Sequence, residues 1–423
     1  MLQREVIGRP AARWIGLAAL GVGLCTAALL ARPARGPAAT APPVVRVAIR
    51  VDGHDAAACA LAESWADDVW SEERGAGLPL DLVVPSDRLP LLAANGVTWQ
   101  VLVADIDAVA AEEHARLAQP AVADKGGDWF AEYRDYKAIT THLEELTALA
   151  PDLVSMQAIG NSLENRPLWA LKFGGGAAGS TKMMIDGTQH AREWIAAMTT
   201  TCVADRLIRG YATDPAIKDF VDHTELWVVP VVNPDGYQYS WSTNRYWRKN
   251  KRENHGVDLN RNFDLAFGGA GSSGFKAAEN YRGPAAFSEP ESAAIRDLML
   301  REKFALSIDF HAYSQLLLYP WSYSSKPAKD RDKLAAIGDR MASAMYATHQ
   351  VSYKLISGVE LYPASGSLMD WAYGEAGALA YTIELRPKGP GGRAGFVLPP
   401  SEIRPTCDEG LAAVLELRRS ATP

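Results

Sequence analysis

Short apolar runs alternate with longer amphipathic segments through the C-terminal two thirds of the chain. Apolar runs of strand length occur near residues 154–159, 168–173, 182–185, 225–232, 305–310 and 379–383. Segments with apolar residues at helical spacing lie between or after them, at residues 135–149, 194–207, 289–301, 330–349 and 403–419. Strands alternating with helices in this way are typical of α/β proteins. A polar loop is predicted over residues 233–281.

A second pattern precedes this region. Residues 44–50, 78–84 and 98–104 are predicted strands, and residues 56–70, 85–95 and 106–117 are predicted helices. They predict a small α+β domain over residues 44–118. Residues 119–127 contain Pro120, Gly126 and Gly127 and are predicted to form a linker, in which a trypsin-like protease could cut after Lys125. The α/β domain then covers residues 128–423.

The first 43 residues are typical of an export signal. Arg4, Arg9 and Arg13 precede an uncharged run over residues 14–30, which is followed by a Pro- and Ala-rich stretch. We therefore expect a secreted or periplasmic protein. The alternative is a membrane anchor formed by residues 14–30, because the run is just long enough for one.

Composition and charge narrow the class of protein further. The chain has 423 residues, of which 48% are hydrophobic and 22% charged, as expected of a globular protein. Residues 44–127 carry six basic and 14 acidic side chains, a net charge of −8. Basic residues cluster only at 245–252, so no nucleic-acid partner is expected. We also expect the protein to be a monomer. The four cysteines predict one disulfide at most; for Cys202 and Cys407, a bond and two free thiols are equally compatible with the sequence.

Three His-x-x-Asp/Glu pairs occur, at His142, His190 and His255. The pattern around His142 predicts a solvent-facing helix position, and His255 lies in a polar loop. Only His190 follows an apolar strand and opens a helix, where α/β proteins place ligand groups. His190 and Glu193 can therefore hold one divalent cation.

Two further strands also end in residues suited to such a site. His311 follows an apolar run and is the natural third ligand; two His and one Glu leave a fourth tetrahedral position open for water, as in hydrolytic zinc sites. Glu384 ends another run and is the candidate general base. The alternative is that Glu384 forms a structural ion pair with Arg386.

The predicted polar loop adds basic and amide side chains, Arg248, Asn260 and Arg261, and Tyr362 follows later in the chain. Guanidinium groups bind carboxylates through two parallel hydrogen bonds, so this set suits a substrate that carries a carboxylate. The alternative is an ordinary solvated basic loop.

Six segments together resemble the pancreatic-type (carboxypeptidase A/B-like) zinc metallocarboxypeptidases. They begin at His190 (His-Ala-Arg-Glu-Trp), Asn244 (Asn-Arg-Tyr-Trp-Arg-Lys), Gly256 (Gly-Val-Asp-Leu-Asn-Arg-Asn-Phe), His311 (His-Ala-Tyr-Ser-Gln-Leu), Leu361 (Leu-Tyr-Pro-Ala-Ser-Gly) and Thr382 (Thr-Ile-Glu-Leu-Arg). The resemblance implies a mixed, mostly parallel central sheet flanked by helices. It also implies that residues 44–117 are an activation segment, so that the protein is made as a zymogen. The chain departs from the family in one respect, since residues 264–281 lack the cysteine of the usual loop disulfide.

The resemblance also implies a role for each residue of the site. His190, Glu193 and His311 would bind one Zn²⁺, Glu384 would be the general base, and Arg248 would stabilise the oxyanion. The substrate would be bound by Asn260 and Arg261 at its terminal carboxylate, by Tyr362 as a cap, and by Arg192 at a secondary subsite. Asp258 would hold His190 in its tautomer.

Side-chain preference depends on the position that is acidic in the basic-specific relatives, which is Met369 here. We therefore expect an exopeptidase that removes large apolar or aromatic C-terminal residues from peptides and proteins. In a basic-specific enzyme, Glu360 would supply the acid. A zinc amidase or deacylase on the same fold would have altered carboxylate-binding residues, and a non-catalytic binding domain would have lost a ligand or the base.

Overall fold

Two β-sheets organise the part of the chain that the structure describes. The structure is a computed structural model, and it describes residues 43–71, 77–118, 128–389 and 395–421. The chain divides into two units, Met1–Pro43 and Val44–Pro423. The features below belong to the second unit.

The smaller sheet has four antiparallel strands in the order β2-β3-β1-β4. They are β1 (Arg46–Val51), β2 (Asp68–Val69), β3 (Leu80–Pro85) and β4 (Trp99–Val103), with helices α1 (Ala56–Ser64), α2 (Leu89–Ala94) and α3 (Ile106–Leu117). Alternate residues of β1 and β3, such as Ile49 and Leu82, form one apolar cluster with α1 and α2. Their neighbours along each strand, Ala48 and Val83, face the other side of the sheet and belong to the main core of the protein. Both faces of the small sheet are therefore buried.

The larger sheet has eight strands in the order β11-β10-β12-β9-β7-β8-β6-β5. They are β5 (Val154–Asn161), β6 (Pro167–Gly174), β7 (Thr181–Gly187), β8 (Thr224–Val229), β9 (Leu306–Ala312), β10 (Leu316–Tyr319), β11 (Lys354–Ser357) and β12 (Leu379–Leu385). The pairs β11/β10, β12/β9, β9/β7 and β7/β8 are parallel, and the other three are antiparallel. The predicted mixed, mostly parallel sheet is confirmed.

Helices cover both faces of this sheet. They are α4 (Tyr136–Leu149), α5 (Trp194–Gly210), α6 (Pro215–Asp222), α7 (Pro234–Ser242), α8 (Pro290–Glu302), α9 (Arg331–His349), α10 (Gly358–Leu361), α11 (Leu368–Gly374) and α12 (Ile403–Ala421). Alternation along β9 sends Ile308 and Phe310 into the core under α5 and α12. Asp309 and His311 therefore face the opposite side of the sheet, where α8 and α11 pack.

Helix α5 is buried along most of its length because it lies between the sheet and α12. Fourteen of its residues are buried, and Cys202 on α5 is bonded to Cys407 on α12, with their Cα atoms 5.9 Å apart. The sequence left this pairing open, and the structure resolves it as a disulfide.

Several boundaries and elements differ from the sequence predictions. The helix predicted over residues 56–70 ends at Ser64, and Asp68–Val69 is a short strand instead. Helix α7 lies inside the predicted polar loop, and β10, β11 and α11 were not predicted. The predicted exposure of His142 is wrong. It is buried, its Nε2 lies 3.0 Å from Asp205 Oδ1, and its ring stacks on Trp129.

Within the described ranges, no helix has the length and apolar character needed to span a bilayer. The predicted export signal or anchor at residues 14–30 and the linker at residues 119–127, including Lys125, lie outside those ranges.

Candidate metal centre and active site

The carboxyl ends of β7, β9 and β12 bring three predicted site residues together. His311 on β9 is paired in register with Glu384 on β12. His190 follows β7 after the turn at Gly187–Gln189, and Glu193 is the N-cap residue of α5. A Cβ at Gly187 would lie 2.7 Å from Thr200 Oγ1, so the absence of a side chain there lets the turn cross α5 closely.

His190, Glu193 and His311 converge on one point. Their potential ligand atoms lie within 4.8 Å of one another, and all three residues are buried. His190 Nδ1 lies 2.8 Å from Glu193 Oε1, and His311 Nδ1 lies 3.0 Å from both Glu193 Oε2 and His190 Nδ1. Ligand atoms of a tetrahedral zinc with bonds of about 2.0–2.1 Å are roughly 3.3 Å apart, so small movements would fit the ion.

The other ring nitrogen of each histidine faces a buried carboxylate. His190 Nε2 lies 3.2 Å from Asp258 Oδ1, and His311 Nε2 lies 2.8 Å from Asp309 Oδ2. When the hydrogen is on Nε2, the lone pair of Nδ1 is directed at the point where His190, Glu193 and His311 converge. This is the tautomer that can bind a metal there. The two histidines and the carboxylate therefore fit a divalent cation that accepts nitrogen and oxygen ligands.

The electrostatics of this centre also favour a cation. Burial lowers the pKa of His311, yet Asp309 and Glu193 outweigh it and hold this pKa well above its ordinary value. Burial raises the pKa of Glu193, but His190 and His311 outweigh it and hold that pKa below its ordinary value. An environment that retains a positive charge among buried carboxylates suits Zn²⁺.

Asp258 links the metal centre to Arg248. Its Oδ2 accepts hydrogen bonds from Arg248 Nε at 3.2 Å and Nη2 at 3.0 Å, while its Oδ1 faces His190. Burial raises the pKa of Asp258, but Arg248, Arg261 and His190 hold it well below its ordinary value. Arg248 is thereby fixed beside the metal centre.

Asn260, Arg261 and Tyr362 form a group next to Glu384. Asn260 Oδ1 accepts a hydrogen bond from Leu368 N at 2.9 Å, and Arg261 Nη2 donates to Tyr362 Oη at 3.1 Å. Arg261 Nε donates to the carbonyl oxygen of Gly271 at 2.9 Å, and Asn280 Nδ2 donates to the same oxygen at 3.1 Å. These hydrogen bonds hold the loop that lacks the family's disulfide.

A small cavity of about 30 Å³ lies between this group and the sheet. It is lined by the apolar residues Leu318, Leu361, Ala364 and Met369 and by the polar residues Asn260, Arg261, Ser322, Tyr362, Ser367, Thr382 and Glu384. Met369, on α11, is buried. Glu384 is the only acidic residue that lines this cavity among the residues described.

Two acidic residues near this cavity are engaged elsewhere. The Glu360 carboxylate accepts hydrogen bonds from Ser357 N and Oγ at 2.8 and 2.6 Å, capping α10. The Asp370 carboxylate accepts from the backbone nitrogens of Ser322 and Tyr323 at 2.8–3.0 Å, and burial raises its pKa to about 7. Neither side chain lines the cavity.

A larger cleft of about 430 Å³ shares Arg261 and Tyr362 with the small cavity. The catalytic side is lined by Arg192, Arg248 and residues 270–271 and 277–280, and the opposite side by residues of the small sheet and α1. Arg192 is 1% exposed, and its Nη1 donates to Asp68 Oδ2 at 2.6 Å. Residues 63, 66–69 and 71 thus line the side of the cleft that faces Arg192 and Arg248.

All ten predicted site residues therefore lie around one connected site. The sequence analysis missed Asp309 and Asp68, which contact His311 and Arg192. Asp309 precedes His311 by two positions on a strand, so alternation alone indicates that both side chains share a face. No local pattern indicated the contact of Asp68, because 124 residues separate it from Arg192.

Comparison with known proteins identifies the family. The sequence profile described as zinc carboxypeptidase (Peptidase_M14) matches residues 139–413. The chain belongs to the zinc carboxypeptidase family. It is therefore a metallocarboxypeptidase that hydrolyses peptide bonds with zinc as its cofactor, and the three converging side chains described above could hold that ion.

Relatives within the family are similar over most of the chain. Carboxypeptidase A1 of Rattus norvegicus is 34% identical over 363 residues, which cover 83% of this chain and 86% of that protein. Carboxypeptidase B of Bos taurus is 33% identical over 331 residues, covering 76% and 78%. The crystal structure of thrombin activatable fibrinolysis inhibitor superposes with a TM-score of 0.79 at 30% identity, covering 89% of this chain and 98% of that one.

Proposed function

We propose that this zinc carboxypeptidase removes large apolar or aromatic residues from the C-termini of peptides and proteins, and that it is exported as a zymogen. The observation that carries the proposal is the set of side chains that line the small cavity. They include Arg261, Asn260 and Glu384, and Glu384 is paired in register with His311 of the metal centre. Such an arrangement suits a substrate whose last residue has a free carboxylate and whose last peptide bond lies near the metal.

His190, Glu193 and His311 would hold the zinc ion. Zinc, when bound, supplies Lewis acidity toward water and toward the scissile carbonyl. Asp258 would keep His190 in the tautomer that presents Nδ1, because its Oδ1 faces Nε2.

Glu384 would act as the general base. Its register position beside His311 supports a location within reach of the scissile bond. The carboxylate would take a proton from the attacking water and later deliver it to the leaving amine. Arg248, fixed by two hydrogen bonds to Asp258, would donate to the carbonyl oxygen as negative charge develops there.

Arg261 and Asn260 would bind the terminal carboxylate. Three acceptors in the described part of the chain, Gly271 O, Asn260 O and Tyr362 Oη, receive hydrogen bonds from the Arg261 guanidinium. A guanidinium carries five N–H donors, so two remain for a ligand. Tyr362, which contacts Arg261, would cap the bound residue, and Arg192 would contribute to a subsite further along the peptide once Asp68 has left.

The cavity lining supports apolar specificity. Phe or Leu gains about 1.5–3 kcal/mol by leaving water, whereas a Lys or Arg side chain would lose its hydration, and Glu384, the acidic residue that lines the cavity in the described part of the chain, is assigned to the general base. The basic-specific alternative required Glu360, but its carboxylate caps α10 instead. The amidase alternative is disfavoured because the carboxylate-binding group is intact.

The small sheet would be an inhibitory activation segment. Asp68 accepts a hydrogen bond from the guanidinium of Arg192, and residues 63, 66–69 and 71 line the cleft through which a substrate would enter. The match to thrombin activatable fibrinolysis inhibitor covers 89% of the chain, so it extends beyond residues 128–423, which make up 296 of the 423 residues.

Buried contacts would hold this segment in place. Glu113 on α3 forms a fully buried ion pair with Arg245, and Trp70 stacks on Tyr246 with ring centroids 5.3 Å apart. Removing one partner of a buried ion pair typically costs about 3–5 kcal/mol. Cleavage in residues 119–127 by a trypsin-like protease would release the segment from its covalent link.

The cellular setting follows from the export signal predicted over residues 1–43. The disulfide between Cys202 and Cys407 supports export, because such bonds persist in oxidising compartments. We propose a secreted or periplasmic monomer.

Peptides with free and amidated C-termini provide the test. After trypsin treatment, the protein should remove Phe or Leu from the free peptide, leave the amidated peptide intact, and lose activity with a zinc chelator. Equal cleavage of the amidated peptide would support the amidase alternative and refute the carboxypeptidase assignment.

A further inference from the structure

Asp309 and His311 form a buried pair, of which only His311 has a role in the mechanism proposed above. They stand two apart on β9, face the same side of the sheet, and are both 1% exposed. His311 Nε2 lies 2.8 Å from Asp309 Oδ2, a hydrogen-bonding distance. The Nδ1 atom of the same ring points at Glu193 and His190.

Asp309 is held in turn from the loop that carries His190. Gln189 Nε2 donates to Asp309 Oδ2 at 2.6 Å, and the carbonyl oxygen of Gln189 accepts from Asn233 Nδ2 at 3.0 Å. Gln189 is 1% exposed. A single carboxylate oxygen thus ties the orientation of His311 to the segment that supplies the other two ligands.

The two histidines of the metal centre therefore have matching supports. Asp258 faces Nε2 of His190, and Asp309 faces Nε2 of His311, at a distance shorter by 0.4 Å. We propose that Asp309 is the positioning residue of His311: it fixes the ring tautomer and orientation that the zinc ion requires, with Gln189 holding Asp309. The inference rests on His311 being a zinc ligand, as proposed above.

Loss of such a carboxylate partner typically weakens metal binding by about 10- to 100-fold. Asp309→Asn keeps the shape of the side chain but removes its charge, so the oxygen that His311 and Gln189 share becomes a weaker, neutral acceptor. Gln189→Met keeps the carboxylate and removes only its second donor, so a smaller loss of zinc affinity is expected.

The chain offers a matched control in His142 and Asp205. This buried pair has a similar distance, 3.0 Å, but belongs to α4 and α5 and contains no proposed ligand. Asp205→Asn therefore removes the same kind of buried His–Asp contact, and should lower the melting temperature without changing zinc affinity.

The experiment measures the zinc dissociation constant of the full-length protein and of each variant by competition with a chromogenic chelator. We expect Asp309→Asn to raise the constant about 10- to 100-fold, Gln189→Met to raise it less, and Asp205→Asn to leave it unchanged. With zinc saturating, KM for a Phe-ended peptide should stay near the wild-type value for Asp309→Asn.

A zinc affinity for Asp309→Asn within twofold of the wild-type value, or a loss no larger than that of Asp205→Asn, would overturn the proposal. If Asp309→Asn does not fold, an unchanged affinity in Gln189→Met would overturn it instead. Because zinc binding is measured without peptide, the zinc dissociation constants can still be interpreted if the proposed exopeptidase activity is not found.

Discussion

Met369→Asp should convert the side-chain preference of the enzyme from apolar to basic. Met369 is 2% exposed and, with Leu318, Leu361 and Ala364, forms the apolar wall of the small cavity. Burying a Phe side chain is worth about 1.5–3 kcal/mol, which corresponds to roughly a 10- to 150-fold gain in kcat/KM. A Lys side chain entering the same cavity meets no counter-charge on this wall.

A carboxylate at position 369 reverses both effects, because it provides a counter-charge for Lys and makes the surroundings of Phe less apolar. A hydrogen bond to a charged group contributes about 1.5–3 kcal/mol, so Lys and Arg should gain roughly 10- to 150-fold. Phe should lose a comparable factor because it would displace water from the new carboxylate. The ratio of Phe to Lys should therefore fall by about two to four orders of magnitude.

The assay compares kcat/KM for matched peptides ending in Phe, Leu, Lys and Arg, after trypsin treatment. Met369→Leu should preserve the apolar preference, and Met369→Asn should weaken it without favouring Lys, which separates charge from size and polarity. Zinc content and melting temperature establish that each variant is folded. Faster turnover of Lys or Arg by the unmutated enzyme would refute the reasoning, as would equal Lys rates in the Asp and Asn variants.

Three further predictions concern regulation and stability. Limited trypsin treatment should raise activity, and Asp68→Asn should give the uncut chain measurable activity; full activity of the uncut wild-type chain would contradict the zymogen proposal. Replacing Cys202 and Cys407 with Ser should destabilise the protein by about 2–5 kcal/mol, because the bond spans 205 residues, and a thermal scan with unchanged midpoint would disprove this. Burial raises the pKa of Glu291 to about 7, so the folded state binds a proton there that the unfolded state has released, and stability should fall as pH rises from 5 to 8. Between pH 5 and 8, the melting temperature of Glu291→Gln should fall less with rising pH than that of the wild-type protein. An equal slope of melting temperature against pH in both proteins would show that another group causes the fall.

Elements with strong periodicity could be predicted from the sequence alone. The predicted helix over residues 106–117 coincides with α3, and the start of α5 at Trp194 was also predicted. Helix α3 begins after Asp105, whose side chain accepts a hydrogen bond from Ala108 N, and such a cap is a local signal. Helix α5 carries a long stretch of apolar residues at helical spacing. The three ligands and Glu384 were found because each follows or ends an apolar run.

Elements whose existence depends on distant partners were not predicted. Strand β11 has four residues and gains its hydrogen bonds from β10, to which it is parallel after a long crossover. Its pairing with β10 rather than its local pattern determines this strand. Helix α7 was missed for a different reason: its sequence is polar, with low apolar periodicity, although Asn233 caps its first turn and Pro234 begins it.

Contacts between residues far apart in the chain account for the other features that could not be predicted from the sequence. His142 was expected on a solvated face because its helix is amphipathic, but Asp205 and Trp129 make burial favourable by supplying a hydrogen bond and a stacking surface. Asp68 lies in a segment whose pattern continued that of α1, and its ion pair with Arg192 arises only when the two sheets meet. Such pairs carry no short-range signal in a single sequence.

The most direct test of the central claim is the turnover of Glu384→Gln measured together with its zinc content. We expect about one zinc ion per chain in both proteins, and a loss of at least about 10²- to 10⁴-fold in kcat for the variant. Wild-type turnover by a zinc-loaded Glu384→Gln protein would contradict the assignment of the general base and, with it, the proposed mechanism.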